Sequence, residues 1–151
     1  MFKLLKKIFK KQEEPAMPAK DYHQVAFSGD ITKQRLLIDM EADVTDRHFL
    51  LQNIAEITYK NRTNAEDKEL LYRVCEVHWK LLEEIVAAFL ADMKMIPSIP
   101  IVKRYVMVLT EDQRYSEAIS ICEKAQQLGL HDGTKGNYEG RIKRIQKSTG
   151  L

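Results

Sequence analysis

The residues from which metal or nucleophilic chemistry would be built are four histidines (His23, His48, His78, His131) and two cysteines (Cys75, Cys122). None of the histidines stands at paired metal-ligand spacing, and two distant cysteines make no zinc site. His78, Cys75 and Cys122 fall at inward helical positions, where a satisfied core histidine and small buried thiols are expected. Asp132-Gly133-Thr134-Lys135-Gly136 has the glycine content of a loop that wraps phosphate with its amides. It lacks the upstream glycine, has Thr and Lys in the reverse of the usual order, and follows no strand. An ordinary helix connector is expected, with Lys135, Arg141 and Arg144 as a weak anion-binding set. Glu83 and Glu84 are neighbours on a helix and point about 100° apart, so they do not flank one substrate as an acid/base pair. No nucleophile–base–orienter set is visible. No catalytic residue, metal or cofactor is assigned, and an enzyme is not expected.

A second kind of chemistry is segregated at the start of the chain. Residues 1–11, MFKLLKKIFKK, hold five lysines and no acid. On a helix, Met1, Phe2, Leu4, Leu5, Ile8 and Phe9 would share one face, opposite Lys3, Lys6, Lys7, Lys10 and Lys11. Such a face suits an anionic membrane surface, and Phe2 through Lys11 are the expected membrane-contact residues. A solubilising tail and a helix docked on the protein's own body are the alternatives. The chain has 24 Lys+Arg, so 19 basic groups against 22 acidic ones remain outside the tail, a net of −3. The body therefore exerts no general pull on nucleic acid.

The elements that would position these groups read as helices. The 151 residues are 44% hydrophobic with only 6 Gly and 4 Pro, a composition that fits a single core and excludes collagen-like or wholly disordered chains. Residues 12–20 form a Pro-containing linker, residues 21–147 one helical domain, and residues 148–151 a frayed end. Helices are expected over Ile31–Met40 with Leu36, Leu37 and Met40 inward, from a Thr45 or Asp46 cap to Tyr59, and from an Asn64 cap to Met93. Pro97 and Pro100 end that long helix and begin another through Glu111. Tyr115–Leu128 follows, stopped by Gly129, and Tyr138–Lys147 closes the chain. No segment is long and apolar enough to span a membrane and no secretory leader is read, so a cytoplasmic protein is expected, peripheral on the inner membrane face if its tail binds lipid.

Val74-Cys75-Glu76 and Ile121-Cys122-Glu123 recur 47 residues apart, with Leu81 and Leu128 at the same offset. The stretch YVMVLTEDQRYSEAISICEKAQQL, residues 105–128, resembles a tetratricopeptide repeat. Tyr115, Ala118, Cys122 and Ala125 match its packing positions, while Val106, Gln113 and Leu130 depart from its usual Gly, Gly and Pro. Residues 46–82 resemble a divergent second copy. The segment LHDGTKGNYEGRIKRIQK resembles the tail of uncharacterised bacterial and phage repeat-like proteins, which implies no activity. The resemblance implies an all-α chain of antiparallel helix pairs stacked as a short superhelix. It also implies a non-catalytic adaptor that binds a protein or peptide through Lys103, Met107, Thr110 and Glu111. A nucleic-acid or phosphate binder using the C-terminal basic helix, and a structural homo-oligomer subunit, remain the other readings.

Overall fold

Asn64 starts the longest element. Its side-chain oxygen accepts from the amides of Glu66 and Asp67 at 2.9 and 3.3 Å, satisfying two of the donors that a helix start leaves unpaired. Glu66 and Asp67 add negative charge where the helix dipole favours it. The computed structural model describes residues 17–150, and among these the chain is all-helical. Seven helices follow in order: α1 (Ala19–Ala26), α2 (Ile31–Arg35), α3 (Val44–Lys60), α4 (Ala65–Met93), α5 (Pro100–Glu111), α6 (Tyr115–Gln127) and α7 (Asn137–Thr149).

α3 and α4 form the central hairpin. His48 lies thirteen residues before the Asn61–Asn64 turn and His78 fourteen residues after it, and their rings are hydrogen-bonded. Residues equidistant from a turn meet only when the two helices are antiparallel. Leu50, Leu51, Ile54 and Ala55 of α3 close on Leu71, Val74, Cys75, Leu82 and Ile85 of α4, all buried. α5 and α6 make a second hairpin, and the close approach of Ile96 to Gly129 brings its open ends together. α7 packs on α6, α5 packs on both α3 and α4, and α1 and α2 cover the other side of α3. Cys75 and Cys122 hold buried positions in the second helix of their hairpins.

The boundaries depart from the sequence expectations where side chains compete for backbone groups. Asp43, not Thr45 or Asp46, caps α3, because its carboxylate accepts from the Thr45 amide at 3.0 Å. The helix expected over Ile31–Met40 stops at Arg35 and continues as tight turns, with Leu37 and Met40 amides bonded three residues back. That tightening turns Leu37 and Ile38 into the core and leaves Leu36, expected inward, 78% exposed. Ala19 and Lys20, assigned to the linker, begin α1 behind Pro18, whose carbonyl accepts from Asp21 and Tyr22. The end expected to fray at residue 148 is helical through Thr149. The Ser148 and Thr149 hydroxyls bond the Ile145 carbonyl, and Gly150 adopts the left-handed cap.

Replacing Asn64 by Ala removes both cap bonds from the helix that packs against α3 and α5. Asn64→Ala is expected to lower unfolding stability by about 1 kcal/mol, read as a shift of the urea midpoint with unchanged slope.

Candidate functional site

The segments flanking α6 are brought together by the fold. α5 and α7 line a groove of about 300 Å³ formed by Val106, Met107, Thr110 and Glu111 on one side and Arg141, Arg144, Ile145 and Ser148 on the other. Three residues assigned to partner binding thus stand opposite two assigned to anion binding. Lys103 lies one turn before Met107, and Lys135 is exposed in the α6–α7 loop; neither lines the groove.

Each wall is fixed by a charge cluster. Glu111 is held bidentately by Arg62 at 2.8 and 2.9 Å. The Arg62 guanidinium lies 4.0 Å from the Tyr59 ring centroid, and Arg104, itself paired to Glu56, lies 4.5 Å from it. A tyrosine ring between two guanidiniums attracts both through its electron-rich faces. The Tyr59 hydroxyl also reaches the Met107 sulfur at 3.8 Å, so the end of α3 sets the position of the α5 wall.

The other wall is set by Asp132, whose side chain is fully buried. It accepts from the Thr134 amide at 2.8 Å and hydroxyl at 2.6 Å, and it pairs with Arg141. Burial alone would raise its carboxyl, but the Thr134 bonds and the Arg141 guanidinium outweigh it and hold the group below the usual carboxylate range. The Gly133 amide donates to His131 and the Asp132 amide to Asn137. The glycine-containing loop therefore spends these amides on its own side chains and is organised around an internal carboxylate. Thr110 and Ser148 donate their hydroxyls back to Val106 and Ile145.

Arg144 is different. Among the described residues it makes no ion pair or hydrogen bond. Its side chain folds back toward the N-terminal end of α7, where its guanidinium would meet a Cβ on Gly140 at 3.3 Å. Gly140 stands in the first turn of α7, and a Cβ there would require the guanidinium to give by a few tenths of an ångström. The groove thus combines an apolar floor of Val106, Met107 and Ile145 with one uncommitted guanidinium and one clamped carboxylate. The chain matches no known protein family, no curated protein and no solved structure.

The residues expected to pack a repeat are inward: Ala118, Cys122 and Ala125 are fully buried, and Tyr115 is half-buried against the core. Burial pushes the Cys122 thiol up to about 11 and Cys75 higher still, so neither is a thiolate at neutral pH. The candidate membrane contacts Phe2 through Lys11 lie outside the described residues. No described helix is long and apolar enough to cross a membrane.

Sequence reasoning missed the joining of His48 to His78, whose ring nitrogens are 2.8 Å apart in the α3–α4 interface. The signal was present in part: both positions lie on inward stripes, but only the hairpin register shows that they meet. Burial lowers His48 to about 4, and burial with its neighbour lowers His78 well below the ordinary histidine value. Both folded values lie below the unfolded ones, so the unfolded chain binds more protons as pH falls past about 6.5. Stability is expected to be complete above that pH and to drop by about 1 kcal/mol per histidine per pH unit below it. Urea midpoints at neutral and mildly acidic pH check this, and a flat profile would refute it.

Proposed function

We propose that the protein is a non-catalytic adaptor whose helix pairs stack as a short tetratricopeptide-like superhelix and whose α5–α7 groove binds a peptide. The carrying observation is the meeting of Met107, Thr110 and Glu111 with Arg141 and Arg144 in one groove. An apolar floor ending at an uncommitted guanidinium suits a segment with an apolar side chain beside a carboxylate. Packing supports the superhelix: α3 lies against both its own hairpin partner and α5, the first helix of the next pair. The five lysines and apolar face of residues 1–11 support a peripheral position on an anionic inner membrane face.

A nucleic-acid or phosphate binder has less support. Arg141 is committed to Asp132, and the amides of Asp132, Gly133 and Thr134 are taken by side chains. Arg144, Lys143 and Lys147 remain near it, but Lys143 pairs with Glu139. Without aromatic platforms along α7 other than the buried Tyr138, base stacking has no surface.

The test is selection from a random peptide library on the full-length protein. Enriched peptides are expected to pair an apolar residue with Asp, Glu or a free carboxylate. Arg144→Glu is expected to weaken their binding at least about tenfold, the equivalent of ~1.4 kcal/mol, without lowering the melting temperature. No enrichment, or binding unchanged by Arg144→Glu and Met107→Lys, overturns the groove reading.

A further inference from the structure

Buried polar side-chain atoms without a partner gather in one layer of the fold. They are the Tyr22 hydroxyl of α1, Gln34 Oε1 of α2, and Arg47 Nε and Gln52 Oε1 of α3; α4 to α7 hold none among the described residues. Leaving such an atom unpaired is costly, so an orphan beside an open pocket points to what enters it. Gln34 is in that position. It has no solvent exposure, yet it lines a pocket of about 270 Å³ together with Ala26, Phe27, Asn53, Glu56 and Ile57. This pocket shares no lining residue with the α5–α7 groove.

The hydrogen bonds around the pocket decide what it offers. Gln34 Nε2 and Asn53 Nδ2 both donate to the Ala26 carbonyl, at 2.9 and 2.7 Å. Turning either carboxamide over would set oxygen against oxygen, so both nitrogens are fixed there and both oxygens are left to accept from elsewhere. Glu56 adds a carboxylate, whose two oxygens each accept from Arg104, at 3.1 and 3.2 Å, and each keep a further lone pair. Three acceptor-bearing side chains therefore line one cavity. Beside them stands Phe27, whose ring lies 5.8 Å from that of Phe49 and is still 62% exposed.

We propose that this pocket binds a guanidinium group carried on an alkyl stem. The planar fork donates to Gln34 Oε1 and Asn53 Oδ1, the charge lies near the Glu56 carboxylate, and the plane covers Phe27. The stem then rests against Ile57. An ammonium is more strongly hydrated and presents no plane to the ring, so it fits less well. A bare divalent cation also fits poorly, because one carboxylate already paired with a guanidinium supplies too little charge.

The test is a titration of the full-length protein followed by NMR at the Gln34 and Asn53 carboxamides and the Phe27 amide. The probes are N-acetyl-arginine methylamide, methylguanidinium, and the uncharged citrulline counterpart of the first. Saturable shifts confined to these signals are expected with both guanidinium probes, and binding of the citrulline compound is expected to be at least about tenfold weaker. Phe27→Ala, at an exposed ring, is expected to weaken binding at least about fivefold, and Gln34→Met, close in volume but without the acceptor, at least about tenfold. Met107→Lys, in the other groove, is expected to leave it unchanged. Tighter binding of the blocked arginine than of methylguanidinium assigns the site to an arginine side chain of a partner protein, and the reverse order to a free guanidinium compound. No saturable shift with either guanidinium probe, shifts that the citrulline compound matches, or binding that Phe27→Ala leaves intact overturns the proposal, and water alone then completes Gln34 Oε1.

Discussion

The α3–α4 interface is the constraint from which the other placements follow. Its apolar seam from Leu50 to Ala55 and from Leu71 to Ile85 is closed to solvent, and a seam of this kind resists shifts because each side chain fills a space shaped by its neighbours. Within it, His48 and His78 satisfy one another as neutral rings. A buried polar pair is tolerated where each group finds its partner, and it fixes the register because a one-turn slip would leave both unpaired. With that register set, the Asn61–Asn64 turn places Arg62 where it can hold Glu111 and lie on Tyr59.

From this hairpin the two faces of the molecule acquire different characters. On the side of α5 and α7, charge clusters position the groove walls and the turns beside them. Glu111 answers to Arg62, Asp112 to Lys68 and Tyr72, and Arg141 to Asp132. Lys68 and the Tyr72 hydroxyl together hold the Asp112 carboxyl below its ordinary range, so this contact between α4 and the α5–α6 turn stays charged at neutral pH. The half-exposed ion pairs contribute little stability singly. Their effect is positional: of the two guanidiniums lining the groove, Arg141 is tied to Asp132 and Arg144 has no acid among the described residues. On the opposite end, Leu90, Met93 and Met95 are exposed where α4 finishes.

The helices were legible because each is written in local terms. Asn64 with Glu66 and Asp67, Pro100 at the first turn of α5, and Gly129 after α6 are signals confined to a few residues, and the 3.6-residue rhythm from Leu71 to Phe89 names the buried stripe of α4 directly. Where side chains compete locally, the same logic loses resolution. Asp43 and Thr45 are both capable caps, and the choice of Asp43 depends on the path by which α2 returns to α3. The Leu36-Leu37-Ile38 run could bury either flank until α3 fixed which side is inside.

The sequence by itself determined the all-helical class, the identity of most inward residues, and the separation of a cationic amphipathic arm from a slightly acidic body. These depend on spacing within a dozen residues, and spacing is what a sequence records. Only the tertiary structure decided that Met107 and Glu111 would face Arg144 and that His48 would meet His78. Each of those joins residues tens of positions apart, and the pairing follows from helix direction and hairpin register. Those are set by the packing of whole faces, which no single stretch of the chain contains.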